Sequence, residues 1–476
     1  MSTELRNFLT LSYAELEDLN LKSKEQRLKR VAPDKIQEER LKYLTDQKGI
    51  KAVTVLFSDL EGRLHMLDYD KKFIVKSYDN LTFDGSSIRG FTAQRESDLR
   101  LGIDWSAFYF APADFFGSGK VLVFGEVIDK GGTPYTADMR GVLKGYAQGL
   151  YEKHGYTLNA ANEIEGFLFA GVDAEKRFPD TGRFEYVNTG GYYHSLPGDP
   201  LRSFIDTAAE VQRAMGFENE KDHPEVAPSQ FEINYGYGEV VAAADQIQLY
   251  KLICRQVATK LGMTASFLPK PVVGVNGSGM HTNMSISKEG KNIFWDPNGE
   301  EKLASFGWAF VDRVLTHGND ICLFLNSSVN AYRRLDPHYE APNQLNASAT
   351  NRGAMVRIPI GNERSMRVEV RAVAPDSNPY LVMYSIFKSG LDGETAKIPN
   401  LRSAERFLPD NIYTALENFR NSTWVTKLLG EDVKARYADL KQASADRCPR
   451  LLGTCVKPAE VQFHHEVYNQ FLWNQF

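Results

Sequence analysis

The stretch Met366-Arg367-Val368-Glu369-Val370-Arg371-Ala372-Val373 reads as a strand. Side chains alternate across a strand, so Arg367, Glu369 and Arg371 share one face while Val368, Val370 and Ala372 share the other. An Arg-Glu-Arg face is poor core material, but it suits a metal ion and anionic oxygens. The same pattern recurs at Glu163-Ile164-Glu165, where two carboxylates share a face. In Met280-His281-Thr282-Asn283-Met284-Ser285 the His, Asn and Ser lie opposite Met280, Thr282 and Met284. Several strands with one polar face each imply a sheet curved around a charged cavity.

Glu163, Glu165, Glu225, Glu232 and Glu369 supply carboxylates on presumed strands, and His281 supplies one imidazole. An oxygen-rich set suits a hard divalent cation such as Mg2+ or Mn2+. Gathered carboxylates repel one another unless cations neutralise them, and two adjacent ions could clamp a transferring phosphoryl group and its acceptor. Arg334, Arg352, Arg357, Arg367 and Arg371 form a second set, suited to bidentate contacts with phosphates and carboxylates. Taken singly, any of these residues reads more readily as a surface charge or a salt-bridge partner than as a ligand, and spacing alone does not bring positions 163 and 369 together. Three loops could close over a substrate: Phe83-Asp84-Gly85-Ser86-Ser87-Ile88, Asn276-Gly277-Ser278-Gly279-Met280-His281 and Tyr339-Glu340-Ala341-Pro342.

The elements that must position these groups are partly legible. Lys51–Phe57 and Val121–Ile128 read as strands, with a turn at Glu61-Gly62-Arg63 between them and a boundary at Gly131-Gly132-Thr133-Pro134. Helices are expected over Met139–His154, Arg202–Met215 and Ala243–Leu261. Residues 12–48 form a charged helix pair opened by a Ser12/Glu15 capping box and interrupted at Pro33, read as a solvated surface pair or an interaction arm. The irregular alternation of helices and strands, without a GxGxxG or GxxxxGKS loop, argues against a doubly wound nucleotide fold.

At 476 residues the chain is long enough for two or more domains. Its 56 basic and 61 acidic residues leave a net charge of −5, which points to neither nucleic acid nor an anionic membrane surface. No apolar run approaches the ~20 residues of a membrane helix, and the N-terminus carries no secretory pattern. Cys254, Cys322, Cys448 and Cys455 form no CxxC pair and are expected to be reduced thiols of a cytoplasmic protein.

Together, FDGSSI at 83–88, KPVVGVNGSGMH at 270–281, RRLDPHYEAP at 333–342, NRGAMVRIP at 351–359 and RVEVR at 367–371 resemble the glutamine synthetase family, in its bacterial type I form. The resemblance implies an α+β fold, with a small β-grasp-like domain at 49–136 after a helical extension at 1–48. A catalytic domain at 137–476, with a curved antiparallel sheet and outer helices, would follow. It implies ATP-dependent ligation of ammonia to L-glutamate through a γ-glutamyl phosphate, with two or more Mg2+ or Mn2+ ions per site. By resemblance, Glu165, Glu225 and Glu232 would hold one metal, and Glu163, His281 and Glu369 the other. Asn276, Gly277, Arg334 and Arg371 would hold glutamate. Arg352, Arg357 and Arg367 would face the phosphates, with Ser285 near the nucleotide. Asp84, Ser87, Tyr192 and Glu225 would form the ammonium pocket, and Glu340 would be the flap acid. The family forms a dodecamer of two stacked hexameric rings, so the Asp84 loop would enter a neighbouring subunit's site.

The chain departs from the usual pattern at several positions. Ala161-Asn162 replaces Gly-Pro, Gly166 replaces a bulky residue, and Pro224 stands before Glu225 where His is usual. His338 replaces a glycine before the flap, and Asn283 replaces a common His. An Asn-Leu-Tyr-Asp-Leu adenylylation loop is missing between Gly393 and Pro409, so that form of control is not expected. The alternatives are a glutamate–amine ligase of the polyamine type, a catalytically silent member of the fold, and a two-metal hydrolase. The retained Asp84 and Tyr192 favour ammonia, the retained metal and phosphate residues argue against a silent member, and the hydrolase leaves the arginines unexplained.

Overall fold

A computed structural model describes residues 6–92, 97–339 and 341–452, apart from the side chains at 175, 179, 337 and 447–452. Two sheets organise the chain. The first has five strands, in the order Leu64–Asp70, Ala52–Ser58, Lys120–Ile128, Asp98–Phe110 and Leu81–Asp84. Ala52–Ser58 runs antiparallel to Leu64–Asp70 and parallel to Lys120–Ile128, and it is buried along almost its whole length, which explains its continuous apolar run. The turn into Leu64–Asp70 is held by Asp59 Oδ1, which accepts the N–H groups of Glu61 and Arg63 at 3.0 and 2.9 Å. Gly62 there has φ +91°, and a Cβ on it would lie 2.5 Å from the Asn378 Cα, so the turn also needs glycine to let another backbone approach.

The second sheet has ten strands and curls around the site. Its main path runs Gln344–Ser348, Ala354–Arg357, Val368–Val370, Met280–Lys288, Tyr156–Ala170, Gln230–Tyr235 and Asn219–Pro224. Only the first pair on this path is parallel. Parallel, doubly wound topology is thereby excluded. The long helix Val240–Lys260 backs the sheet, and Tyr250 donates from its hydroxyl to the Ile164 carbonyl at 2.9 Å. Helix Met139–His154 starts and ends as expected, capped by Asp138 and by Gly155 in the left-handed conformation. The other two expected helices lie at Pro200–Ala214 and Val240–Lys260, a residue or more earlier than their apolar pattern implies, because Asp199 and Glu239 cap them. The strand read over 366–373 is regular only at Val368–Val370, though its backbone pairing continues past them, with the Arg371 N–H donating to the Met355 carbonyl and the Val373 carbonyl accepting the Met280 N–H, both at 2.8 Å.

The surface helix pair expected at 12–48 forms, with much of its charge exposed, but it is docked on the body rather than a free arm. The capping box forms, and helices Tyr13–Leu28 and Pro33–Asp46 follow, with a few of their polar residues bonding inward. Asn20 is buried and donates to the carbonyls of Leu16, Phe110 and Ala214 at 3.0, 2.9 and 2.8 Å, while its Oδ1 accepts the Phe110 N–H at 2.9 Å. Arg40 is buried against Ser23 and Gln26. The inward-bonding residues look solvent-facing in the sequence because their partners come from distant segments. Arg27 illustrates this, lying 3.4 Å from Asp245.

That contact belongs to a buried ionic knot between the two sheets. Arg140, 1% exposed, bonds Asp245 twice at 2.8 Å, Asp104 at 3.0 Å and Glu126 at 3.1 Å, and the Tyr380 hydroxyl donates to Asp245 at 2.8 Å. Cys254 and Cys322 are buried free thiols; the side chains of Cys448 and Cys455 lie outside the described part. Among the described residues no helix is long and apolar enough to cross a membrane.

Replacing Arg140 by Met leaves Asp245 and Asp104 buried without their principal counter-charge. The expected loss is about 3–5 kcal/mol of stability. N20A is expected to cost about 1–3 kcal/mol through stranded backbone groups. Urea unfolding midpoints measure both, and an R140M midpoint equal to wild type would refute the knot's structural weight.

Candidate active site

Register decides which polar residues meet. Along Tyr156–Ala170, Ala160, Asn162 and Ile164 are buried while Ala161, Glu163 and Glu165 turn to the open face. Glu163 pairs with His281, Glu165 with Glu232, and Glu232 with His223 on the next strand. On the other side Asn283 pairs with Glu369, and Glu369 with Arg357. One concave face therefore carries Arg357, Glu369, Asn283, His281, Glu163, Glu165, Glu232 and His223, with Glu225 just beyond the last strand.

The contacts are specific. Glu165 Oε1 lies 3.5 Å from His281 Nε2, while its Oε2 accepts the Gly279 N–H at 2.7 Å. Asn283 donates to Glu163 at 3.2 Å and accepts from Arg367 Nε at 2.8 Å. Glu369 is gripped by Arg357 at 3.0 Å and by Arg371 at 2.5 Å. Arg334 is buried beneath the glycine loop and donates to the Arg371 carbonyl at 3.0 Å, leaving its Nη1 without a partner. Arg371 Nε reaches the Arg352 carbonyl at 3.3 Å. Gly277 and Gly279 are required by this crowding: a Cβ would lie 2.4 Å from the Pro269 carbonyl oxygen in the first case and 2.5 Å from Arg334 Nη2 in the second. Ser285 lies on the same strand as His281, half-buried, opposite Asn159.

The electrostatics record the crowding. Burial, with Glu165 and Glu232 adding repulsion, pushes the Glu225 carboxyl up to about 9. Burial, then Glu232 and Glu369, also raises Glu163. Glu369 moves the other way: burial opposes ionisation, but His281, Arg371 and Arg357 together hold its carboxyl below the usual range. Burial lowers the Arg334 guanidinium to about 10, despite the pull of Glu165.

His223, Glu225 and Glu232 each offer a ligand atom within 4.8 Å of the others. His223 Nδ1 is 3.5 Å from Glu225 and its Nε2 3.4 Å from Glu232, the latter outside hydrogen-bonding alignment. His281 Nδ1 is likewise buried without a partner. Orphaned imidazole nitrogens beside clustered carboxylates, with Glu225 resisting ionisation, fit a divalent cation, which would supply the missing positive charge. His223 had no place in the sequence reading, where attention fell on Pro224. Its i, i+2 relation to Glu225 was the available signal. Gln230, two residues before Glu232, was also missed; its amide reaches the Gly277 carbonyl at 3.0 Å and Glu165 at 3.4 Å.

Tyr192 lies beside this cluster, its ring 5.4 Å from that of His223 and its hydroxyl donating to Tyr193 at 2.8 Å. Asp84 and Ser87 are not brought to it within one chain. Asp84 ends a strand of the other sheet, exposed, and accepts bonds from Ser86 and Ser87 at 2.6 and 2.7 Å, which hold its carboxyl below the usual range. Glu340 lies outside the described residues. The departures find local reasons. Gly166 leaves room for Phe231 and Phe267, Asn162 donates to Thr282 at 3.0 Å, and the exposed His338 is tied to Asp336 at 2.7 Å.

A curled antiparallel sheet whose concave face carries carboxylates, imidazoles and arginines defines an enzyme built for divalent cations and anionic substrates. The family profile described as "Glutamine synthetase, beta-Grasp domain" matches residues 49–130, and "Glutamine synthetase, catalytic domain" matches 136–452. A protein named Glutamine synthetase from Methanosarcina mazei is 35% identical over 420 residues, covering 84% of this chain and 92% of the relative. Relatives of the same name from Clostridium saccharobutylicum and Staphylococcus aureus are each 35% identical, covering 85% of this chain and 94% of their own length. The chain belongs to the glutamine synthetase family.

Saturating Mg2+ or Mn2+ is expected to raise thermal stability, since a ligand at a hundred times its Kd adds about 2.7 kcal/mol. E225Q and E232Q should lose most of that shift, and E220Q on the exposed part of strand Asn219–Pro224 should keep it. A metal-induced Tm shift equal in all three variants would count against the site.

Proposed function

We propose that this chain joins ammonia to L-glutamate at the expense of ATP, forming L-glutamine through a γ-glutamyl phosphate. The observation that carries the reading is the convergence of Glu163, Glu165, Glu225, Glu232, Glu369 and His281 on one face, with arginines at its edge. Glu165, Glu225 and Glu232 hold one metal, with His223 beside them, and Glu163, His281 and Glu369 hold the other. The metals are Mg2+ or Mn2+. When bound, a divalent cation neutralises charge on the phosphoryl oxygens.

The chain's own residues do the rest. Arg334, Arg371, Asn276 and Gly277 hold glutamate; the unpartnered Nη1 of Arg334 supports this, since a substrate carboxylate would satisfy it. Arg352, Arg357 and Arg367 face the phosphates and stabilise negative charge as it is transferred, with Ser285 near the nucleotide. A carboxylate is a poor electrophile until it is phosphorylated, and ammonium is no nucleophile until it loses a proton. Asp84 takes that proton, in a pocket completed by Ser87, Tyr192 and Glu225. Glu340 closes the flap and keeps water from the acyl phosphate.

Asp84 ends a strand of the other sheet and Ser87 sits in the turn after it, and among the described contacts their side chains bond only within that loop, which supports delivery of the loop to a neighbouring subunit. By the family resemblance the assembly is a dodecamer of two hexameric rings, acting in the cytoplasm. The domains are a helical extension at 1–48, a β-grasp domain at 49–136 and a catalytic domain at 137–476.

Steady-state assays comparing ammonium with ethylamine and putrescine should give glutamine formation far ahead of either amide. Equal or better turnover with an amine would replace ammonia as the acceptor. D84N and E225Q should each lose about 10²–10⁴-fold in kcat. Mixed assemblies of the two inactive variants should regain turnover, because some shared sites receive both intact groups. No recovery on mixing, or full activity in a monomer, would rule out sharing.

A further inference from the structure

Lys270 stands immediately before the glycine-rich loop, and none of the roles above uses it. Its backbone is pinned on both sides by one side chain: the Lys270 N–H donates to Asn330 Oδ1 at 2.7 Å, and Asn330 Nδ2 donates to the Lys270 carbonyl at 2.9 Å. Asn330 lies on helix Val329–Arg334, which ends at Arg334. From this anchor the Lys270 side chain reaches two different loops. Its ammonium donates to the Val275 carbonyl and sits 3.8 Å from the centroid of the Tyr339 ring. Val275 directly precedes Asn276 and Gly277, and Tyr339 directly precedes Glu340.

Lys270 is buried, only 5% exposed, and among the described residues no carboxylate lies within ion-pair distance of it. An ammonium withdrawn from water and held by one carbonyl and one aromatic face, with Asp336 attracting it only from beyond ion-pair distance, is a costly way to stabilise a fold; an apolar chain of the same length would fill the space at lower cost. What the charge adds is two simultaneous attachments. The hydrogen bond is directional and fixes the loop, whereas the cation–π contact tolerates sliding of the ring. A single group can therefore hold the glutamate loop firmly and follow the flap as it moves.

We propose that Lys270 is a positioning residue that couples the glutamate-holding loop to the flap, by gripping the Val275 carbonyl and the Tyr339 ring together. The inference rests on the reading of Asn276 and Gly277 as glutamate contacts and of Glu340 as the flap acid. Its consequence concerns water. With the flap uncoupled from glutamate, water attacks the acyl phosphate in place of ammonia, breaks its carbon–oxygen bond, and returns glutamate and inorganic phosphate.

The test measures glutamine formed per phosphate released, together with KM for glutamate and kcat, in the assembled enzyme. K270M is expected to raise KM for glutamate about tenfold and to drop glutamine per phosphate to about half of wild type or less. K270R keeps a donor and a cation for the ring, so it should restore both quantities to within about threefold. Y339L removes only the flap attachment, and should lower the ratio while KM for glutamate stays within about twofold. Wild-type ratio and KM in K270M would overturn the proposal. So would equal damage in K270M and K270R with matching falls in Tm, the mark of a merely structural lysine. A wild-type enzyme that makes no glutamine sinks this inference and the function together; one that makes it, with unaltered variants, sinks the coupling alone.

Discussion

Like charges held close together on one sheet face govern the rest of this structure. Two carboxylates about 4 Å apart repel by about 4 kcal/mol at the effective dielectric of a partly buried site. Glu163, Glu165, Glu225, Glu232 and Glu369 multiply that cost, and Glu225 answers by keeping its proton up to about 9. Arg357 and Arg371 offset it at Glu369, and His281 eases it at Glu165. What remains at Glu225 and Glu232 is opposed only by His223 beside them and, at Glu225, by the more distant Lys221. The site is therefore unfavourable to folding by itself, and a cation relieves it.

An unfavourable face needs a stiff frame. The apolar backs of the same strands provide it: Ile164, Met280, Met284, Val368 and Val370 are all buried. Helix Val240–Lys260 reinforces the back, with the Tyr250 hydroxyl tied to the sheet. The same helix carries Asp245 into the knot around Arg140, where the five-stranded sheet is joined to the catalytic unit. A single helix thus links the geometry of the carboxylate-bearing face to the placement of the domain that carries Asp84. The N-terminal helices complete that junction through Asn20 and Arg27, so the extension is part of the frame.

Small residues in the site serve approach rather than flexibility. Gly277 and Gly279 let the loop lie against Arg334, and Gly166 yields space to Phe231 and Phe267. Departures from the usual family pattern are absorbed in the same way. Asn283 joins Glu163 to Arg367, and Asn162 bonds Thr282 across the strands. Each is a local solution that keeps the residues of the polar face in register.

Much was legible in the chain alone. Alternation of period two exposed the polar faces at 163–165, 281–285 and 367–371, because strand geometry is local. Helix Met139–His154 was legible for the same reason, with its cap and its glycine stop written beside it. Motif order revealed the family. The pairing of Glu163 with His281, of Glu165 with Glu232 and of Asn283 with Glu369 was not legible, because register is set by strands far apart in sequence. Nor was the inward turn of Asn20, Arg27 and Arg40, since a charged side chain advertises solvent until a distant partner is known. His223 fell between the two: its spacing from Glu225 was visible, but only packing against Glu232 gave it meaning. The sequence by itself determined which side chains share a face; the tertiary fold decided which faces meet, because only contact between remote segments removes water from around a charge and gives it a partner.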